Sequence, residues 1–191
     1  MNGKNAGIAI VMLTAAWGSL GSASVQGGPL PRTGQVVPYA TGDDGSHQKG
    51  VIWPSGVRFN DNGDGTVSDR LTGMIWLKNA NCFGAHTWDA ALIEVNALAS
   101  GACGLNDGSA VGSWRLPNII ELESLVDAGA YNPALPTGHP FSGVASAEYW
   151  SSTTGPTLTT AGWNMSLFNG SVMGNMDKYN SCYVWPVRGG Q

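Results

Sequence analysis

The fold is decided by an apolar and turn-rich stretch, residues 57–78, which reads VRFNDNGDGTVSDRLTGMIWLK. Short apolar segments alternate here with clusters of Asn, Asp and Gly, which turns favour because these residues tolerate positive φ or hydrogen-bond to nearby backbone. The pattern predicts a hairpin closed by residues 60–65 and, after Thr72 and Gly73, a third strand over residues 74–77. We therefore expect the folded domain to begin with a small antiparallel sheet.

The acidic turn within this stretch also resembles a calcium-binding loop. Counted from residue 60, the loop has Asp64 and Gly65 in the fifth and sixth positions, but Leu71 occupies the twelfth, where a bidentate Glu is required. The sequence thus favours an ordinary hairpin turn, and no cofactor is expected. A weak candidate calcium site is kept at Asp61, Asp64 and Asp69.

Two short helices are predicted in the middle of the chain. Apolar residues at positions 88, 91, 92, 95, 98 and 99 follow a helical period. Thr87 is a natural N-cap for this helix and Gly101 a natural stop. The second helix begins at Asn118, with Glu121 three residues later in the spacing of a capping box.

The last quarter of the chain has the pattern of β-strands and supplies the candidate binding residues. Strands are predicted over residues 149–154, 163–167 and 181–188, and Asn169-Gly170 predicts a hairpin turn after the second of them. Alternation along residues 163–167 predicts that Asn164 and Ser166 face solvent. Asn, Ser and Tyr suit adaptable binding surfaces, although an ordinary polar loop over a sheet is the alternative. The predicted ligand-binding residues are Asn164, Ser166, Asn169, Asn175, Asp177, Tyr179 and Asn180.

Composition excludes several classes of protein. The chain of 191 residues is 42% hydrophobic with a net charge of −4, which does not fit a disordered protein. A pI near 5.1 argues against a nucleic-acid partner. The motifs of nucleophile elbows, phosphate-binding loops, dinucleotide-binding turns and zinc proteases are absent from the sequence. We predict that the protein is not an enzyme.

The beginning of the chain predicts export. Residues 1–24 carry Lys4, then an apolar run over residues 7–17 and small residues at 21–24, the pattern of a secretory signal peptide. An apolar N-terminal helix retained in the protein is the alternative. Residues 25–50, rich in Gly, Pro and polar residues, predict an extended arm with turns, and residues 51–191 the folded domain. We expect a secreted, periplasmic or cell-surface protein without a membrane span.

Three cysteines permit three alternative disulfides, each of which leaves one free thiol. In an oxidising compartment a pair is expected to form a bridge. We favour Cys82–Cys103, which flanks the first predicted helix and encloses about 21 residues, enough for a stabilisation of about 3 kcal/mol. Zinc is not expected, because His47, His86 and His139 lie far apart and no C-x-x-C occurs.

Several motifs, taken in order, make the sequence similar to the Lcl C-terminal domain family, named for a domain of a bacterial collagen-like adhesin. The resemblance covers nearly all of the chain after the predicted signal peptide, and Cys82 and Cys103 fit positions that recur in related sequences. The motifs are PRTGQ at residues 31–35, FNDNGDGTVSD at 59–69, LTGMIW at 71–76, WRLPNIIEL at 114–122, YWSST at 149–153 and YVWPVRGG at 183–190.

The resemblance implies an α+β, C-type-lectin-like fold with two short helices, small antiparallel sheets and long loops. It also implies non-catalytic, lectin-like or adhesin-like binding of a glycan or protein ligand outside the cell, and a homo-oligomer, namely a trimer. Sulfated glycans are one known ligand class of the named adhesin, but only Lys178 and Arg188 follow Arg115 as basic residues here.

Two other functions remain open within the same fold class. The layout of residues 150–188 resembles receptor-binding proteins that retroelements diversify, and a self-associating structural surface protein is a further alternative. Formylglycine-generating enzymes share the fold, but the residues around Cys182 and Cys103 do not match that family.

Overall fold

The computed structural model of the protein describes residues 30–54 and 57–189. The predicted signal peptide, residues 1–24, lies outside this part of the chain, as do the first five residues of the predicted arm. None of the helices in the described ranges has the length and apolar character needed to cross a bilayer.

The described residues form an α+β structure with three short helices and nine strands. The helices are α1 Asp44–His47, α2 Trp88–Ala97 and α3 Ile119–Glu123. The strands are β1 Phe59–Asp61, β2 Thr66–Asp69, β3 Met74–Leu77, β4 Ala85–His86, β5 Glu148–Thr154, β6 Ala161–Ser166, β7 Val172–Asp177, β8 Cys182–Tyr183 and β9 Val187–Gly189.

The first sheet has four antiparallel strands in the order β1-β2-β3-β9. Its first three strands are those predicted from residues 57–78, and Gly65, in the turn between β1 and β2, has a φ of +86°. Gly65 also lies so close to the backbone of Gly104 that a side chain would not fit. The final strand β9 pairs with β3, with Trp76 opposite Val187, and so joins the end of the described chain to its first hairpins.

The second sheet has five strands in the order β4-β8-β5-β6-β7. The predicted hairpin at Asn169-Gly170 joins β6 to β7, and Gly170 has the positive φ of +78° that such a turn requires. The expectation of purely antiparallel sheets is wrong at one point, because β5 and β8 run parallel, with Tyr149 opposite Tyr183. Within this sheet β7 is an edge strand.

Both predicted helices form, with two corrections at the first. The capping box of α3 is complete, since Asn118 Oδ1 accepts from the Glu121 N–H at 2.9 Å and Glu121 Oε2 accepts from the Asn118 N–H at 2.8 Å. Thr87 is the N-cap residue of α2, but its side chain makes no capping hydrogen bond. The helix also ends before Gly101, at Ala97.

The predicted extended arm contains a helical turn that composition did not reveal. Helix α1 forms because Asp43 accepts hydrogen bonds from the backbone N–H groups of Tyr39 and Ser46, at 2.7 and 3.0 Å. These hydrogen bonds, Tyr39 first, hold the pKa of Asp43 at about 2. The segment also contacts the rest of the fold, because Ala128 donates to the Thr33 carbonyl at 2.8 Å.

The core between the sheets is built on four fully buried tryptophans, Trp76, Trp114, Trp150 and Trp185. Three of their indole N–H groups donate to partners inside the fold: Trp150 to the His86 carbonyl at 2.8 Å, Trp185 to the Leu77 carbonyl at 2.8 Å and Trp114 to Ser109 Oγ at 3.0 Å. Trp114, Trp150 and Trp185 therefore each supply both apolar area and a fixed polar contact.

The disulfide prediction is confirmed. Cys82 and Cys103 are bonded across a separation of 21 residues, with their Cα atoms 5.6 Å apart. The chain between them contains β4 and α2, so the bridge holds the two ends of this segment together. Cys182 is a free and buried thiol on β8.

We expect the protein to lose stability at alkaline pH because two buried groups resist ionisation. Burial raises the pKa of the Cys182 thiol from 9.0 to about 12 and that of the Tyr149 hydroxyl from 10.0 to about 12. Both groups ionise at lower pH in the unfolded chain, so the free energy of unfolding should fall as the pH rises from about 9 to 12. Urea midpoints across this range would show the fall, and Cys182→Ala should reduce it. A profile identical in the variant would contradict the role of Cys182.

Candidate functional site

The predicted solvent-facing side of β6 is not at the surface, which corrects the assignment of two residues. Asn164 is 0% exposed and Ser166 is 7% exposed. Strand β6 lies between β5 and β7, and α3 packs against it. Trp163, on the opposite face, packs against Gly174 of β7. Because both faces are covered, alternation along β6 does not distinguish core from solvent, and neither residue is available to an external ligand.

The other five predicted residues are exposed but do not form one surface. Asn169 lies in the turn before β7, whereas Asn175, Asp177, Tyr179 and Asn180 lie at the far end of β7 and in the turn that follows it. The six residues of β7, a length of about 20 Å, separate the turn that holds Asn169 from the turn that holds Tyr179 and Asn180. We call Asn175, Asp177, Tyr179 and Asn180 the β7 surface.

The turn of the β7 surface is fixed by Lys178, a residue that is not among the predicted ligand-binding residues. The Lys178 ammonium lies 3.8 Å from the centroid of the Trp88 ring and donates to Thr154 Oγ1 at 2.9 Å. Its backbone N–H donates to the Thr160 carbonyl at 3.0 Å, and its carbonyl accepts from the Trp88 N–H at 3.1 Å. Lys178 thus ties the turn to the start of α2 and to the loop before β6.

Asp177 fixes the remainder of the same turn. Its Oδ1 accepts from the Tyr179 N–H at 3.0 Å, and its carbonyl accepts from the Asn180 N–H at 2.9 Å. These local bonds orient the backbone and leave the Tyr179 side chain 83% exposed. The result is a large exposed aromatic side chain on a turn fixed by three backbone–backbone hydrogen bonds, one bond to the Asp177 carboxylate and the half-buried Lys178 side chain.

The three carboxylates of the candidate calcium site point to different partners. Asp61 accepts from Lys78 Nζ at 2.6 Å, which lowers the pKa of Asp61 below its usual value. Asp64 accepts from the Thr66 hydroxyl at 2.6 Å, and Asp69 is buried in an ion pair with Arg58. Over residues 30–54 and 57–189, no group of three His, Cys, Asp or Glu side chains is placed to hold a metal ion. In the described residues the three carboxylates are therefore directed to separate protein partners.

Comparison with known proteins gives one result that bears on this surface. A search of curated proteins finds no match to the chain. The family model of the Lcl C-terminal domain matches residues 65–188, which include both bridged cysteines, α2, α3 and the whole β7 surface. The chain belongs to the Lcl C-terminal domain family.

Proposed function

We propose that the protein is a secreted, non-catalytic binding module of C-type-lectin-like fold that recognises a glycan or protein ligand through the β7 surface. Membership of the Lcl C-terminal domain family supports the class, and the α+β arrangement of two small sheets with short helices is compatible with the fold. Export rests on the pattern of residues 1–24. The main support for the β7 surface as the binding site is the exposure of Tyr179 on a fixed turn.

A fixed and exposed tyrosine is suited to binding for two physical reasons. Its ring offers a large contact area while only two side-chain torsions must be ordered, and its hydroxyl can donate and accept. Because Lys178 and Asp177 already hold the turn, little backbone entropy remains to be lost when a ligand binds. The neighbouring Asn175 and Asn180 add exposed amides that can hydrogen-bond hydroxyl or peptide groups.

Charge at the surface favours a neutral ligand over a sulfated one. The Lys178 ammonium is half-buried and engaged by Trp88 and Thr154. Arg188 is paired at 3.0 Å with Asp107, whose side chain is fully buried. Asp177 contributes a negative charge, so the β7 surface lacks the cluster of accessible cations that polyanions require.

Removing the Tyr179 ring is expected to weaken binding by about 30-fold, the effect of losing a central aromatic contact. Glycan and protein arrays probed with the purified protein would identify a ligand, and calorimetry would then compare the wild type with Tyr179→Ala. Tyr131→Ala is the matched control, because Tyr131 is similarly exposed, at 76%, and lies outside the β7 surface. Both variants should unfold at the wild-type urea midpoint.

Unchanged affinity in Tyr179→Ala and in the double variant Asn175→Ala/Asn180→Ala would rule out the β7 surface. Reproducible turnover of an array substrate would rule out the non-catalytic class. Light scattering on the same samples separates ligand binding from self-association, the second candidate function. Self-association is favoured by the edge position of β7, because an edge strand presents backbone groups that can pair with another chain.

A further inference from the structure

A cavity lies away from the β7 surface, between the segment before β1 and the rest of the domain. Its volume is about 380 Å³, within the range of cavities that hold small molecules. Arg32 and Trp53 line it from the early segment, Arg58 from the start of the first hairpin, and Glu123 and Val126 from α3 and the loop after it.

Arg58 brings a buried guanidinium to this cavity. The residue is 5% exposed, and its Nε and Nη2 donate to Asp69 at 3.1 and 2.9 Å. Nη2 also donates to the Ser124 carbonyl. Its third nitrogen, Nη1, is buried and has no hydrogen-bond partner within residues 30–54 and 57–189. A buried donor without a partner is costly.

Arg32 adds a second donor and an unbalanced charge. Its Nη1 donates to the neutral amide of Gln48 at 3.2 Å, while its buried Nε lacks a partner among the residues that the structure describes. Within the same residues, Arg32 takes part in no ion pair, whereas the charge of Arg58 is balanced by Asp69. Arg32 therefore brings an unpaired positive charge to the lining, and Glu123 brings one negative charge on an exposed side chain.

The position of Arg32 is fixed by the fold and does not depend on a ligand. Its backbone N–H donates to the Val51 carbonyl and its carbonyl accepts from the Trp53 indole, both at 3.0 Å. The Trp53 ring in turn lies 5.1 Å from the Arg58 guanidinium carbon. Arg32, Trp53 and Arg58 are thus held together as one wall of the cavity.

We propose that this cavity binds a small molecule with one carboxylate on an apolar body. A carboxylate accepts from guanidinium groups in charge-assisted bonds and would balance the charge of Arg32. Trp53, Leu71 and Val126 supply apolar contacts for the remainder of the ligand. Glu123, exposed on the lining, repels a second negative charge, which favours a monoanion over phosphate.

This site is separate from the β7 surface but only partly outside the family match, because Leu71, Glu123 and Val126 lie within residues 65–188. Arg32, Trp53 and Arg58 all precede residue 65, where the match begins. The matched region, residues 65–188, therefore supplies Leu71, Glu123 and Val126 to the cavity but not the two guanidinium groups.

Calorimetry with phenylacetate as the probe and phenylacetamide as its neutral counterpart tests the proposal. We expect phenylacetate to bind, and phenylacetamide to bind at least about tenfold more weakly. Arg32→Gln should weaken phenylacetate binding by about tenfold or more, and Arg32→Lys, which keeps the charge but loses Nε, should also weaken it. Arg70→Gln is the control, because Arg70 is an exposed arginine outside the cavity lining.

Three results would overturn the proposal: no heat of binding with phenylacetate at about 10 mM, equal binding of the amide, or unchanged affinity in Arg32→Gln. Tyr179→Ala should leave phenylacetate binding intact, so this site and the β7 surface can fail independently. Urea midpoints equal to that of the wild type would show that the Arg32 variants remain folded.

Discussion

Asp69→Ala is expected to lower the free energy of unfolding by about 3–5 kcal/mol, because it leaves a buried charge without its partner. Asp69 is 1% exposed and accepts from two nitrogens of Arg58, from the Leu71 N–H at 2.9 Å and from the Thr72 hydroxyl at 2.9 Å. The substitution removes all of these acceptors together. Arg58 also donates to the Ser124 carbonyl just after α3, so the loss of stability should extend from the first hairpin to α3.

Urea unfolding followed by tryptophan fluorescence would measure this effect, with Asp61→Ala as the matched control. Asp61 lies on the neighbouring strand and also forms an ion pair, with Lys78 at 2.6 Å, but both side chains are 37% exposed. Exposed ion pairs contribute little because water and salt screen them. We expect the control to shift the midpoint by no more than the error of the measurement. Equal shifts in the two variants would show that burial of the Asp69 pair does not matter.

Local signals in the sequence predicted those parts of the fold that depend on near neighbours. The β1–β2 turn follows from the Gly and Asp residues of 60–65, and the capping box of α3 follows from the spacing of Asn118 and Glu121. The disulfide was also predictable, because Cys82 and Cys103 flank a single predicted helix and are separated by only 21 residues. In each case the residues that cause the feature lie within about twenty positions of one another in the sequence.

Features that depend on distant contacts were not predictable in the same way. Asn164 and Ser166 alternate with apolar residues as on a half-exposed strand, yet α3 and the neighbouring strands cover β6 on both sides. Lys178 has no local feature that distinguishes it, and its role arises from Trp88, ninety residues earlier in the chain. Arg32 reaches the cavity only because the early segment packs on the domain. A sequence pattern reflects the structural preference of each residue, but it does not show which distant residues pack against that residue in the fold.

Loss of the Cys82–Cys103 disulfide is expected to lower the free energy of unfolding by about 3 kcal/mol, from the loop entropy returned to the unfolded chain. The bridge also lies next to contacts that the folded chain makes with the first hairpin. Gly104 lies against the backbone of Gly65, and the Asn106 N–H donates to the Asp64 carbonyl at 2.8 Å. The bridge therefore holds the end of the segment that contains α2 against the first hairpin.

The double variant Cys82→Ser/Cys103→Ser and chemical reduction of the wild type should give the same lowered urea midpoint. Adding reductant to the double variant should change nothing further, because Cys182 is a free thiol before and after treatment. The Cys182→Ala variant, which keeps the bridge, should remain as sensitive to reductant as the wild type. A midpoint that reductant leaves unchanged in the wild type, when mass spectrometry shows the bridge to be open, would mean that native contacts alone position residues 103–106. Sensitivity to reductant that disappears in Cys182→Ala would instead assign the effect to that thiol.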